Sequence, residues 1–316
     1  MKQKVFIAAD LPETAYRILE QAGFEFAVYR GTGYISGNEL LQAVEDADAL
    51  IPLLAHKIDA CVIAAGKKLK IIANYAVGYN NIDLEAARKN QVIVTNTPGV
   101  LTETTADLAF GAMIAVARKI AEGDKMVREG RFKGWQAKLL LGCDVYGKTL
   151  GIIGMGRIGQ AMARRGLGFG MKIIYAGRSA KTLDFPAEFI EIRKLMSKAD
   201  FILLSLPLNQ ETRGIINRSL LSEMKPEAFL INIARGEILD EEFLISLLER
   251  QKISGAALDV FQNEPEINPR LCALQNTILT PHIGSASLAT RDKMAAMAAG
   301  EVVRVLSGKP AVNRVI

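Results

Sequence analysis

Residues 147–168 read GKTLGIIGMGRIGQAMARRGLG, and the rest of the chain has to be built around what this stretch specifies. A short apolar run, Leu150–Ile153, breaks at Gly154-Met155-Gly156-Arg157-Ile158-Gly159 and passes directly into a helix-compatible segment, Ile158–Gly168. A G-x-G-x-x-G string alone is a weak signal. Strand, glycine turn and helix in that order make it a strong one for a dinucleotide-binding α/β unit. The glycines allow a tight turn, close approach of backbone to a pyrophosphate and packing of helix on strand, while the helix N-terminus offers unpaired N–H groups to the phosphates. Gly154, Met155, Gly156, Arg157 and Ile158 are accordingly candidate cofactor contacts.

A second apolar run, Lys172–Tyr175, follows the helix and leads into Ala176-Gly177-Arg178-Ser179. A site for the unphosphorylated ribose usually offers a carboxylate here, which would repel a 2′-phosphate. This chain instead has Gly177 to make room, Arg178 to stack on or pair with a phosphate, and Ser179 to donate a hydrogen bond. The expected cofactor is NADP(H), with NAD(H) as the alternative.

The α/β alternation extends in both directions. Downstream, strands are expected at Phe201–Leu204, Phe229–Asn232, Gly255–Val260 and Thr277–Leu279, with a helix at Asp240–Glu249. Upstream, apolar runs at Val5–Ala9, Ala49–Leu54, Leu69–Ala73 and Val92–Thr95 alternate with helical segments such as Thr14–Ala22 and Asn38–Ala47. One long helix, opened by Thr102, is expected from Leu101 through Arg118 toward Arg128, crossing between domains. The Ala- and Met-rich Ser287–Leu306 reads as a packing helix that returns to the first domain. The fold class is α/β, with two doubly wound parallel-sheet (Rossmann-like) domains. A nucleotide domain of residues 100–285 is inserted in a substrate domain of residues 1–99 and 286–316.

Composition agrees with a globular chain of this size: 316 residues, 50% hydrophobic and 23% charged. The apolar run at Val5–Ala9 is too short for a signal-peptide core, and no stretch has the length to span a bilayer, so the expected location is the cytoplasm. Net charge is +5, but the basic residues are scattered; nucleic acid is disfavoured, and an anionic substrate fits the excess equally well. Cys61, Cys143 and Cys272 are far apart and lack C-x-x-C spacing, so they are read as structural thiols and no metal site is expected.

Chemistry that needs an imidazole must use one of two histidines. His56, in LLAHKID, is expected to lie at the surface or in a capping role. His282 follows the strand TILT in TPHIGSAS, past the C-terminal end of a parallel strand, where ligands of such sheets bind. Imidazole also suits proton donation to a carbonyl at neutral pH.

Six stretches in order, NYAVGYNNID (74–83), TNTPGVLTETTAD (95–107), GKTLGIIGMGRIGQ (147–160), INIARGEILD (231–240), LDVFQNEP (258–265) and LTPHIGSAS (279–287), resemble the D-isomer-specific 2-hydroxyacid dehydrogenases over essentially the whole chain. Within that family, WQAKLLLGCDVYGKT and the AGRS tail are most similar to the glyoxylate/hydroxypyruvate reductases, and the resemblance implies the short form without a C-terminal regulatory domain. It implies a catalytic trio. Arg235 would hold the substrate carboxylate or oxo group with its planar fork. His282 would donate a proton to the carbonyl oxygen, and Glu264 would pair with that imidazole, raise its pKa and orient it. The resemblance further implies that the backbone N–H groups of Val77 and Gly78 bind the substrate carboxylate, with Leu53 lining the pocket. Remaining implied cofactor contacts are Thr105, Pro207, Ile233, Ala234, Asp259 at the nicotinamide amide, and Gly284, beside Arg235 and His282 themselves. Trp135, in GRFKGWQAK, lies in a segment that the resemblance assigns to an arm across a homodimer interface.

The reaction so implied is NADPH-dependent reduction of glyoxylate or hydroxypyruvate to the D-2-hydroxyacid. Reduction of 2-ketogluconate or another 2-oxoacid stays open, because Leu53, Leu54 and the Val77-Gly78-Tyr79 turn do not fix pocket size. A non-enzymatic NAD(H)-sensing protein is the alternative from another class.

Overall fold

The short apolar runs at Ala49–Ile51, Ile71–Ala73, Phe201–Leu204, Phe229–Asn232 and Gly255–Leu258 become strands buried on both faces, the condition for an all-parallel sheet under helices. The computed structural model describes residues 2–316. In the first part of the chain these form β1 (Lys4–Ile7), α1 (Glu13–Gln21), β2 (Glu25–Val28), α2 (Gly37–Val44), β3 (Ala49–Ile51), α3 (Ala60–Ala65), β4 (Ile71–Ala73), α4 (Leu84–Lys89) and β5 (Ile93–Thr95). The sheet is parallel throughout, in the order β2-β1-β3-β4-β5. Leu50, Ile72 and Val94 from three adjacent strands share one core with Val62, Ile63 and Ala87 of α3 and α4. Side chains start the helices: Ser36 and Glu39 form a capping box at α2, while Asp59 and Asp83 cap α3 and α4.

The second part contains α5 (Thr102–Ala117), α6 (Ile120–Arg128), β6 (Thr149–Ile153), α7 (Arg157–Gly168), β7 (Lys172–Ala176), β8 (Glu188–Phe189), α8 (Ile192–Lys198) and β9 (Phe201–Leu204). There follow α9 (Arg218–Leu221), β10 (Phe229–Asn232), a 3-10 turn at Gly236–Ile238, α10 (Glu241–Glu249), β11 (Gly255–Leu258), α11 (Pro269–Ala273) and β12 (Thr277–Leu279). Its parallel sheet runs β12-β11-β10-β9-β6-β7-β8. Alternation along β9 shows the double winding: Phe201 and Leu203 pack with Met113 of α5 and Met162 of α7, whereas Ile202 and Leu204 pack with Leu195 of α8 and Leu244 of α10. The last helix, α12 (Leu288–Leu306), is capped by Ser287 and packs on α1 and β4. By contacts the chain divides into one unit of Met1–Leu101 with Ser285–Ile316 and another of Thr102–Gly284. No helix among the described residues is long and apolar enough to cross a membrane.

The single long helix expected from Leu101 toward Arg128 is two helices. The Ala117 carbonyl, which a continuing helix would use internally, accepts the Cys143 N–H at 2.8 Å. Gly142 lies so close that a Cβ there would come within 2.4 Å of the same oxygen. Lys119 turns the chain through a left-handed conformation (φ 54°), and α6 beyond it buries no residue. The expected packing role of the cysteines also needs correction, since Cys61 and Cys272 are exposed and Cys143 is half-buried.

Candidate active site

The chemistry-bearing residues of the second unit sit in loops after the C-terminal ends of its strands. In the glycine turn after β6, Gly154 adopts φ +102°, and its N–H donates to the Ala176 carbonyl at the end of β7 (3.0 Å). Ser205, after β9, donates its hydroxyl to the Gly154 carbonyl (2.6 Å). β7 and β9 flank β6 on opposite sides, which makes this the switch point where doubly wound sheets bind ligands. A Cβ on Gly159 would come within 2.3 Å of the Gly154 carbonyl, whereas one on Gly156 would meet no protein atom within 4 Å. Gly159 therefore serves the contact of helix with turn, and Gly156 borders open space at the N-terminus of α7. No side chain caps that helix end, so its first N–H groups are left for an anion, and the turn fits a dinucleotide pyrophosphate.

Beyond β7, Gly177, Arg178 and Ser179 are all exposed. Further along the chain the carboxylate of Asp184 is engaged by Arg164 at 2.7 Å, while Arg178 forms no ion pair among the described residues. Of the other expected cofactor contacts, Met155, Ile233, Ala234 and Thr105 are buried and Pro207 is exposed.

Arg235, Asp259, Glu264 and His282 lie in the loops after β10, β11 and β12, three neighbouring strands of one sheet. Asn232 shapes the first loop, with its side chain accepting the Ala234 N–H and donating to the Arg235 carbonyl, both at 3.0 Å. The Arg235 side chain donates to the Ala234 carbonyl through Nη1 (2.6 Å). Burial disfavours the charged form of this guanidinium, and Glu264 and Glu237 oppose that effect. Gly236 lets the loops after β10 and β11 meet, since a Cβ there would fall 2.0 Å from the Phe261 backbone carbon. Glu264 is held at one oxygen by the Phe261 N–H (2.9 Å), and its other oxygen lies 2.8 Å from His282 Nδ1. Burial alone would raise the Glu264 pKa, but the His282 hydrogen bond and charge, with the Phe261 N–H and Arg235, hold it below the ordinary glutamate value. Nε2 of His282 is then the nitrogen free to exchange a proton.

His282 has φ +53°, a left-handed backbone that costs a non-glycine residue about 1 kcal/mol or more and persists only where the surroundings enforce it. Asp259 supplies that enforcement. It is only 4% exposed, and its carboxylate accepts from the Thr280 hydroxyl (2.7 Å) and from the N–H groups of Ile283 and Gly284 (2.8 Å each). Thr280 and Ser205 were not singled out from the sequence, where a hydroxyl beside a strand end gives no distinguishing signal.

In the first unit, the turn carrying Val77 and Gly78 is organised by its carbonyls. That of Ala76 accepts the Thr97 N–H (2.9 Å) and that of Val77 accepts Asn96 Nδ2 (2.8 Å). C=O and N–H point oppositely in a trans peptide, so the N–H groups of Val77 and Gly78 turn away from residues 96–97 side by side. Neither donates to a protein acceptor among the described residues, and such paired donors suit a carboxylate. Asn96, like Thr280 and Ser205, carries no distinguishing signal in the sequence. Of the two roles expected for His56, the surface position is not met and the capping one is: it is 3% exposed, with Nδ1 accepting the Leu53 N–H (3.1 Å). Burial lowers its pKa, which suits a neutral acceptor and leaves His282 as the histidine placed for proton transfer. Among the described residues, no group of three or more His, Cys, Asp or Glu side chains is arranged to hold a metal ion.

Comparison with known proteins agrees with this geometry. Residues 110–284 match the sequence model of the D-isomer specific 2-hydroxyacid dehydrogenase NAD binding domain. A glyoxylate reductase of Pyrococcus horikoshii is 46% identical over 316 residues, covering 98% of this chain and 94% of the relative. A solved Thermus thermophilus protein superimposes with a TM-score of 0.95 at 44% identity, over 99% of this chain and 100% of its own. An NADPH-dependent glyoxylate/hydroxypyruvate reductase from Sinorhizobium meliloti, solved with NADP and malonate, gives a TM-score of 0.89 at 29% identity over 100% and 97% of the two chains. On these grounds the chain belongs to the D-isomer-specific 2-hydroxyacid dehydrogenase family and is an NAD(P)-dependent oxidoreductase acting on 2-oxoacids.

Proposed function

We propose that the chain reduces glyoxylate or hydroxypyruvate to the D-2-hydroxyacid with NADPH. The observation that carries this reading is the 2.8 Å pairing of His282 Nδ1 with Glu264, in a loop neighbouring the one that bears Arg235. The pyrophosphate is assigned to the helix end behind Gly154–Ile158, the 2′-phosphate to Arg178 and Ser179 across the space left by Gly177, and the carboxamide to Asp259. Thr105, Pro207, Ile233, Ala234 and Gly284 line the nicotinamide side. Bound there, the cofactor supplies the hydride. Arg235 holds the substrate's oxo group or carboxylate, and the paired N–H groups of Val77 and Gly78, with Leu53 beside them, are assigned to the carboxylate. His282, protonated and held by Glu264, gives the Nε2 proton to the oxo oxygen; in the reverse direction it is the base. The open space beside Gly177 and the absence of a carboxylate there support NADPH over NADH, as does the cofactor named for the Sinorhizobium reductase. We assign the working form to a cytoplasmic homodimer joined through the arm around Trp135.

The test is nicotinamide oxidation with NADPH or NADH against glyoxylate, hydroxypyruvate, pyruvate and 2-ketogluconate. NADPH should be consumed fastest with glyoxylate or hydroxypyruvate, and His282→Ala should lose about 10²- to 10⁴-fold in kcat, the usual worth of a positioned acid. Turnover with NADH alone would overturn the cofactor assignment. A His282→Ala protein as fast as wild type would overturn the mechanism.

A further inference from the structure

The mechanism leaves one buried polar cluster of the first unit unused. His56 closes the 53–56 turn twice, its N–H donating to the Leu53 carbonyl and its imidazole Nδ1 accepting the Leu53 N–H, both at 3.1 Å. Asn81 Nδ2 reaches the carbonyls of Leu53 (3.3 Å) and His56 (3.2 Å). The same Asn81 makes a reciprocal amide pair with the fully buried Asn74, both bonds at 3.2 Å. Asn74 Nδ2 in turn donates to the Gly78 carbonyl at 2.8 Å. Hydrogen bonds thus run without a gap from the Leu53 carbonyl to the Gly78 carbonyl, through the half-buried Asn81 and the fully buried Asn74.

His56 is the informative member. Because Nδ1 accepts, the proton of the neutral ring lies on Nε2, and Nε2 is buried with no hydrogen-bond partner among the described residues. An apolar side chain would fill the volume without burying an unpaired donor. What the imidazole supplies that such a side chain would not is the acceptor for Leu53. We propose that His56 is a positioning residue for 2-oxoacid binding: its Nδ1 fixes the Leu53 N–H, and Asn81 and Asn74 tie the Leu53 carbonyl to the Gly78 turn. This rests on the assignment of Leu53, Val77 and Gly78 to the substrate. The hydroxyacid product shares the carboxylate, so both directions of the reaction depend on it.

The test uses geometry that separates the two ring nitrogens. Asparagine places Oδ1 where the histidine has Nδ1, whereas glutamine places its acceptor one bond further out, near the position of Nε2. In the full-length enzyme, His56→Leu and His56→Gln should raise KM for the 2-oxoacid about fivefold or more, with kcat and KM for the nicotinamide cofactor within twofold of wild type. His56→Asn should restore the low KM. Equal impairment of the Asn and Gln proteins, a wild-type KM in the Leu protein, or a parallel loss in kcat and cofactor KM would each overturn the proposal. If the Leu protein does not fold, the Asn and Gln pair decides. Asn96→Leu, which releases the Val77 carbonyl and leaves the 53–56 turn intact, separates the two failures. An unchanged KM there would sink the substrate assignment itself, and a raised KM beside a wild-type His56→Leu would sink only the role of His56.

Discussion

Glu264 and His282 share one hydrogen bond, and its two ends respond differently to substitution. In Glu264→Gln the amide no longer carries the charge that favours the imidazolium. A hydrogen bond to a charged group is worth about 1.5–3 kcal/mol, so kcat should fall roughly ten- to a hundredfold, less than for loss of His282. The folded protein holds the Glu264 carboxyl below its ordinary pKa. Such a group contributes stability that is complete above the unfolded value, about 4.3, and is lost as pH falls through the folded one. The stability gap between wild type and Glu264→Gln, measured as urea midpoints between about pH 5 and pH 3, should close toward acid; a gap that widens would refute the pairing as the cause. At the ribose end, Gly177→Asp would place a carboxylate where a 2′-phosphate is expected. A Cβ at this position meets nothing within 4 Å and the backbone is not left-handed, so the change should leave the fold intact while reversing the NADPH preference in the ratio of kcat/KM values.

At the scale of elements, the glycine turn predicts two outcomes from one kind of change. Gly159→Ala drives a methyl against the Gly154 carbonyl, so it should lower both Tm and cofactor affinity. Gly156→Ala meets no protein atom, so Tm should hold while the cofactor KM rises at least several-fold, because the methyl occupies the approach to the phosphates. Equal Tm losses in both would mean that Gly156 also has a packing role. The strands best legible in the sequence are short bounded runs: Phe201–Leu204 and Phe229–Asn232, buried on both faces, and the half-buried Thr277–Leu279 begin and end where the runs do. β2, an edge strand with alternating exposure, gave no such run and went unread. α3 and α4, six residues each and started by their Asp caps, are too short for a helical period to show. The break between α5 and α6 was hidden for another reason, since it depends on a carbonyl claimed by Cys143, distant in sequence. Within the candidate site, His282, Glu264 and Arg235 stood out by motif. Asn96, Asn74, Asn81, Thr280 and Ser205 did not, because a hydrogen bond to backbone or to a distant side chain depends on where the chain passes.

For the whole molecule, burial is uneven. The central strands β3, β4, β9, β10 and β11 are buried along their whole length, yet the segment after α5 leaves Ile120, Val127, Phe132, Trp135, Leu141 and Tyr146 more than half exposed. Apolar exposure on this scale marks association surfaces, which is why the homodimer is assigned to this arm. Trp135→Ser should weaken self-association, read as a lower sedimentation coefficient at micromolar concentration; an unchanged one would place the contact elsewhere. Trp135 is the chain's one indole and is 86% exposed, which gives the protein an intrinsic optical reporter. In a lone chain its emission would be that of a solvated indole, and every photon of tryptophan fluorescence comes from the arm and none from the fold interior. Dilution should shift the emission to the red as subunits part, so an unmodified sample in a cuvette can follow assembly, while folding of the lone chain leaves the signal unchanged.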